Sequence, residues 1–291
     1  MSLVYLNGEF LERGQARVPV LDRGFVFGDG VYEVIPVYAG MPFRFAEHLR
    51  RLGRSLDAVG IGFDPPGPDW DEIVTTLIQA NGGGDQSVYL QVTRGVAERD
   101  HVLAEAIAPT VLVMTKPLAP PAPLPVATIT RDDFRWQRCD IKAIALLGNV
   151  LARREAAAAG AYEAIFLRDG LLTEGAASNV FVVSDGTVRT PPVSNHLLAG
   201  ITRDLVLELL RGASIPVQEA AVTRASLEGA QEIWLTSSTR EILPVSHLDG
   251  RQVGGGAPGP LWSRANALYQ DCKRAFVARG QAVGTNRVPG P

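Results

Sequence analysis

Lys142 sits between Ile141 and the apolar run Ala143 to Leu147, at the end of Arg138-Cys139-Asp140-Ile141-Lys142. An amine partly buried there would lose solvation of its charged form and become a nucleophile fit for Schiff-base chemistry. The plain alternative is a lysine at a strand end with its head in solvent. Glu174 lies in Leu172-Thr173-Glu174-Gly175-Ala176-Ala177-Ser178-Asn179, where small residues let a flat ligand approach the backbone beside one carboxylate. A tight turn with an exposed glutamate has the same composition. Leu198-Ala199-Gly200-Ile201-Thr202-Arg203-Asp204 opens an amphipathic helix whose first-turn N–H groups and Thr202 hydroxyl suit an anion such as phosphate. Thr202 would also serve as an ordinary N-cap.

Those residues depend on the elements around them. Val31 to Tyr38 reads as a strand followed by the turn Ala39-Gly40-Met41-Pro42. Phe45, Leu49, Leu52, Leu56 and Val59 form a helical stripe over Phe45 to Val59. A second helix runs from Asp69 to Ala80 and stops at Asn81-Gly82-Gly83-Gly84. Strands follow at Ser87 to Thr93 and Thr110 to Thr115. Pro117-Leu118-Ala119-Pro120-Pro121-Ala122-Pro123-Leu124-Pro125 holds five prolines in nine residues and reads as an extended linker, or as a long surface loop within one domain. Beyond it, strands near 126–130, 162–167, 179–183 and 232–236 alternate with helices near 145–159, 201–211 and 258–278. A mobile tail is expected from Gly284. The expected architecture is α+β. A smaller domain spans 1–116, the linker 117–125, and a larger domain carrying Lys142 spans 126–291.

Composition removes several function classes. Across 291 residues, 46% hydrophobic and 20% charged side chains supply a core, which excludes disorder as the dominant state. Thirty-one acidic against 28 basic residues lack the basic footprint of a nucleic-acid binder. No apolar run approaches the roughly 20 residues of a membrane helix. The start, Met1 to Gly8, reads as no signal peptide. Cys139 and Cys272 form neither a disulfide framework nor a zinc spacing, so a reducing, cytoplasmic compartment is expected and no metal site.

The motifs in their order carry more than any one alone. Phe27-Gly28-Asp29-Gly30-Val31-Tyr32-Glu33-Val34, Glu47-His48-Leu49-Arg50-Arg51-Leu52, Lys142, the Glu174 segment, Gly200-Ile201-Thr202-Arg203-Asp204 and Thr236-Ser237-Ser238-Thr239 together resemble the fold-type IV (class IV) pyridoxal-phosphate aminotransferases. The resemblance runs from about Tyr5 to about residue 275. Tyr32-Glu33-Val34 and Val92 to His101 are most similar to the D-amino-acid aminotransferases of that family, supported by Arg135 to Lys142 and Leu146-Leu147-Gly148. The resemblance implies that Lys142 bonds the cofactor's aldehyde and that Arg51, the Ile201 and Thr202 amides, the Thr202 hydroxyl and Ser238 hold its phosphate. It also selects Glu174 to face the pyridine nitrogen, a role that the residues alone leave open to Asp140 or Glu163. Arg99, His101 and Tyr32 would trap the substrate's α-carboxylate, with the Arg99 and His101 pair delivered across a homodimer. The substrates implied are a D-amino acid and a 2-oxo acid. The alternatives of the same fold are a branched-chain L-amino-acid aminotransferase, an (R)-amine transaminase, an aminodeoxychorismate lyase or a non-catalytic cofactor binder. Ala176 and Ala177 depart from relatives that carry serines there.

Overall fold

The computed structural model describes residues 2–64, 67–102, 107–118 and 125–285. The proline-rich stretch lies mostly outside these residues, as does the tail beyond Thr285. The chain divides into two compact units. The first comprises Met1–Ala119, Ile141–Ala145 and Gly280–Pro291, and the second Pro120–Asp140 and Leu146–Arg279.

In the first unit the elements in order are β1 (Leu3–Leu6), β2 (Glu9–Glu12), α1 (Arg23–Phe27), β3 (Gly30–Tyr38), β4 (Met41–Pro42), α2 (Phe45–Val59), α3 (Trp70–Ala80), β5 (Gln86–Thr93) and β6 (Thr110–Pro117). The strands make one antiparallel sheet in the order β2-β1-β6-β5-β3-β4. Period-2 alternation in β3 sends Val31, Glu33 and Ile35 to the buried side and leaves Tyr32 and Val34 half-exposed. Val31, Ile35, Val88, Leu90 and Val92 pack there with Leu52 and Leu56 of α2 and Val74 and Leu77 of α3. The apolar stripe expected for α2 is thus its core face. The helix ends at Gly60 in the left-handed region (φ +64°), whose N–H bonds the Leu56 and Asp57 carbonyls. Asp69 caps α3, accepting the Glu72 N–H at 3.0 Å.

The expected division places Lys142 in the C-terminal domain, whereas segment 141–145 packs with the first unit. Ile141 and Ala143 are buried in that unit's core, Ala143 bridges Val31, and the Lys142 carbonyl accepts the Tyr32 N–H at 2.9 Å. Apolar burial and backbone pairing along the β3 edge outweigh chain proximity.

The second unit contains β7 (Val126–Asp132), α4 (Leu147–Ala158), β8 (Glu163–Arg168), β9 (Leu171–Gly175), β10 (Asn179–Ser184), β11 (Thr187–Thr190), α5 (Ile201–Gly212), β12 (Val217–Glu219), α6 (Arg224–Glu228), β13 (Glu232–Ser237), β14 (Glu241–Leu248), β15 (Arg251–Gln252) and most of α7 (Pro260–Thr285). Its mixed sheet has the order β12-β11-β10-β13-β14-β7-β8-β9, with β7 parallel to both β8 and β14. The strands β8, β10 and β13 are buried along nearly their whole length, which is why they read as continuous apolar runs. The Glu232 carboxylate starts α7 by accepting the Leu261 and Trp262 N–H groups at 3.0 and 2.8 Å. No helix of the described residues is long and apolar enough to cross a membrane.

Candidate active site

In the first unit Lys142 is half-buried, with its Nζ 4.1 Å from the centroid of the Tyr32 ring. A cation over a π face is electrostatically favourable and fixes the direction of the amine. The lysine's own N–H donates to Ser55 Oγ at 3.2 Å. Ser55 belongs to a second stripe of α2, His48-Arg51-Ser55, spaced three and four apart and therefore on one face. All three side chains are buried. Their counterpart is Glu33, the one carboxylate on the buried side of β3. Arg51 donates Nε to Glu33 Oε1 at 2.7 Å and Nη2 to Oε2 at 2.8 Å, and His48 Nδ1 lies 2.8 Å from Oε2. Burial pushes the Glu33 carboxyl up, but the charge and hydrogen bonds of Arg51, with help from His48, hold it at about 2. Arg51, the expected phosphate ligand, is thus fixed in plane by a fork-to-fork ion pair.

In the second unit Glu174 lies on β9 and is buried, not exposed in a turn. Its Oε1 accepts Arg135 Nη1 at 2.7 Å, and its Oε2 accepts Asn179 Nδ2 at 3.2 Å and the Leu198 N–H at 3.0 Å. A carboxylate offers about four acceptor positions, so one remains for a further donor. Burial raises the Glu174 carboxyl to about 7 against the pull of Arg135. Arg135 is itself held by Asp133 through Nε at 2.9 Å and Nη2 at 3.0 Å. Asp140 spends its carboxylate on a surface pair with Arg138 at 3.0 Å. Glu163 is taken up by Arg153 at 3.3 Å and by the adjoining Ala164 N–H at 3.1 Å.

Gly200 precedes α5, and no side chain among the described residues caps the helix. The Ile201 and Thr202 amides therefore begin a helix whose first-turn donors have no partner within it. A side chain at Gly200 would meet Asn179 Oδ1 at 2.0 Å, so glycine here makes room for the residue that bonds Glu174. Thr202 is buried, and Ser238 is half-buried in the turn between β13 and β14. The buried Thr236 Oγ1 has no hydrogen-bond partner among the described residues.

Arg99 and His101 are exposed and gather around Phe27. The Arg99 guanidinium lies 5.2 Å and the His101 ring 5.4 Å from the Phe27 ring centroid. The first unit thus brings Lys142 and Tyr32 together and places Arg51 on the α2 stripe behind them, while Arg99 and His101 assemble at a corner of their own. Sequence reasoning gave no role to Glu33, His48, Ser55, Arg135 or Asn179. A buried-side carboxylate in β3 facing an Arg and a His four or fewer residues apart on α2 is the signal that would have found the first two.

A model of class IV amino-transferases matches residues 30–248, a span that includes Lys142, Glu174, Thr202 and Ser238. The chain belongs to the class IV aminotransferase family. Members of this family use pyridoxal phosphate. The chain is 42% identical to a D-alanine aminotransferase of Bacillus licheniformis over 271 residues, covering 92% of this chain and 96% of that relative. It is 38% identical to a D-alanine aminotransferase of Staphylococcus haemolyticus over 265 residues, covering 90% and 94%. Among solved structures it is similar to a T.th. branched-chain amino acid aminotransferase complexed with N-(5'-phosphopyridoxyl)-L-glutamate. The TM-score there is 0.84 at 27% identity, covering 93% of both chains. The residues present fit the class IV cofactor. Lys142 supplies an amine, Glu174 a buried carboxylate with a spare acceptor position, and α5 an uncapped start; the unpartnered Thr236 hydroxyl lies in the same unit as that start.

Proposed function

We propose that this class IV aminotransferase moves an amino group between a D-amino acid of the D-alanine or D-glutamate type and a 2-oxo acid of the pyruvate or 2-oxoglutarate type. The observation that carries the reading is the likeness to D-alanine aminotransferases across nine-tenths of the chain, joined to a loop that presents Arg99 and His101. Pyridoxal phosphate, when bound, supplies the aldehyde that accepts the amino group and the ring that draws electrons from the substrate's Cα. Lys142 would hold the cofactor through its aldehyde and, once its amine is free, would move the proton between the substrate's Cα and C4′. Glu174 holds the pyridine nitrogen's proton in its spare acceptor position. Arg51, the Ile201 and Thr202 amides, the Thr202 hydroxyl and Ser238 bind the phosphate. Tyr32, Arg99 and His101 bind the α-carboxylate. The same residues run the steps in reverse with a new 2-oxo acid, giving ping-pong kinetics.

We further propose a homodimer whose active sites share residues. Its support is the exposed apolar side chains of the first unit, where Phe25 is 79% and Val102 77% exposed. Cys139 and Cys272 are free thiols, the state that a reducing compartment maintains, and we place the enzyme in the cytoplasm. The second reading, a branched-chain L-amino-acid aminotransferase, is favoured by the likeness to the branched-chain structure. The test is a donor panel with pyruvate and 2-oxoglutarate as acceptors. D-Alanine should give the highest kcat/KM, with L-leucine and (R)-1-phenylethylamine well below it; a preference for L-leucine reverses the two readings.

A further inference from the structure

Arg23, the first residue of α1, carries a guanidinium that is only 7% exposed, although it lies beside a loop whose residues 98–102 are all exposed. Its Nε donates to Asp29 Oδ2 at 2.9 Å. Its Nη1 donates to the Asp100 carbonyl at 2.6 Å, and its Nη2 reaches the His101 carbonyl at 3.5 Å. Its guanidinium carbon also lies 4.7 Å from the centroid of the Phe27 ring, the ring against which Arg99 and His101 rest. One buried side chain therefore touches both the backbone following Arg99 and the aromatic support of Arg99 and His101.

The other end of this arrangement is rigid. Asp29 also receives Arg94 in a fork, Nε to Oδ2 at 2.8 Å and Nη2 to Oδ1 at 3.0 Å, at the base of the same loop. Burial raises the Asp29 carboxyl, but Arg94 and Arg23 outweigh it and hold the group below its ordinary value. Asp22 caps α1 through the Gly24 N–H at 2.8 Å and accepts Thr93 Oγ1 at 3.0 Å, while the Arg23 N–H bonds the Gly95 carbonyl at 2.8 Å. The start of α1 is thus fastened to the root of the loop, and the Arg23 side chain extends that fastening to its tip. An exposed arginine and histidine have many rotamers to lose on binding a carboxylate, and a fixed backbone and ring reduce that loss.

We propose that Arg23 is a positioning residue for substrate recognition: through the Asp100 and His101 carbonyls and the Phe27 ring it sets where Arg99 and His101 point. The proposal rests on the reading of Arg99 and His101 as the α-carboxylate trap. Lysine cannot replace it, because a single ammonium does not span Asp29 and two carbonyls at once.

The test is the first half-reaction of the holoenzyme with D-alanine, followed as single turnovers by the change in cofactor absorbance, for wild type, Arg23→Gln, Arg99→Ala and the double variant. Arg23→Gln should raise the half-saturating D-alanine concentration on the order of tenfold and leave the limiting rate within about twofold, with Arg23→Lys recovering little. Because Arg23 acts through Arg99 as well as His101, Arg23→Gln should raise the half-saturating D-alanine concentration by a smaller factor on the Arg99→Ala background than in wild type. Phe27→Leu keeps every ion pair of the cluster and should raise the same concentration by a smaller factor; it also serves if Arg23→Gln does not fold. Equal factors for Arg23→Gln with and without Arg99, or a fall in limiting rate with unchanged half-saturation, overturn the positioning role while leaving the trap in place. An Arg99→Ala enzyme with unaltered D-alanine half-saturation overturns the trap, and the proposal with it.

Discussion

Glu174 meets Arg135, Asn179 and the Leu198 N–H with its two oxygens, yet burial still lifts its carboxyl to about 7. A glutamate held above its ordinary value of 4.5 keeps a proton in the folded chain that the unfolded chain gives up, so folded stability falls as pH rises from about 4.5 to about 7. Glu174→Gln cannot ionise. The melting temperature of the cofactor-free variant, measured against wild type, should therefore climb between pH 5 and 8, by the equivalent of about 3 kcal/mol at most. The loaded variant should abstract the Cα proton on the order of a hundredfold more slowly, as when one preorganised electrostatic partner is removed. A wild-type rate would move the pyridine-nitrogen role to another carboxylate. Lys142→Ala removes the amine and the proton carrier together, and stopped-flow should record no multiple turnover. Its fold should survive, because Ile141 and Ala143 hold the segment and the lysine's bonded backbone groups remain. Arg51→Ala leaves Glu33 buried with His48 as its remaining partner, which should cost about 3–5 kcal/mol of stability in denaturant titrations besides loosening the cofactor.

At the scale of elements, the join between β9, β10 and the start of α5 is tight enough to test with one methyl group. Gly200→Ala would place a Cβ 2.0 Å from Asn179 Oδ1, so Asn179 must shift and its hydrogen bonds to Glu174 and to the Leu198 carbonyl go with it. The expected result is a loss of about 1–3 kcal/mol and faster loss of cofactor on dialysis, read by the absorbance remaining. Much of α2 was legible in the sequence because Phe45, Leu49, Leu52, Leu56 and Val59 repeat with the helical period. The polar stripe beside them was not, since buried charges show themselves only when the strand opposite is known to turn Glu33 inward. Strand β9 was missed for another reason. Its five residues include one β-branched side chain, and pairing with β8 makes it a strand. Helix α1 has only five residues and depends on the Asp22 cap and the left-handed Gly28, features that a periodicity search does not see. Arg135 as the partner of Glu174 is a contact across 39 positions of sequence, beyond the reach of any local pattern.

For the whole molecule, the family and the order of its site motifs were legible, while the allocation of residues to compact units was not. The exposed apolar side chains make the proposed homodimer a matter of surface chemistry. Phe25→Glu should put a charge into that surface, shift sedimentation toward the monomer and lower D-alanine turnover in proportion; an unchanged dimer would locate its contact elsewhere. Glu33 and Glu174 also set opposing slopes of stability with pH. Glu33, held at about 2, contributes stability that is present above its ordinary value of 4.5 and is lost as pH falls toward 2. These two groups together should give the cofactor-free chain a melting maximum near pH 4.5–5 that Glu174→Gln broadens toward neutrality.

The segment 141–145 also bears on how such a chain is synthesised and how genes of its kind exchange parts. A ribosome finishes residues 1–119 before the five residues 141–145 exist, so the Tyr32 N–H must wait, unpaired, for the Lys142 carbonyl, and Val31, already paired with Val92, for its bridge to Ala143. Recombination at the proline-rich stretch, which looks like the natural seam, would exchange an N-terminal module without its own lysine segment. The foreign Ile141 and Ala143 would have to fit a core evolved for others, and the foreign lysine would stand over a Tyr32 and beside a Ser55 that were never selected with it. A viable exchange must carry 141–145 along with residues 1–119.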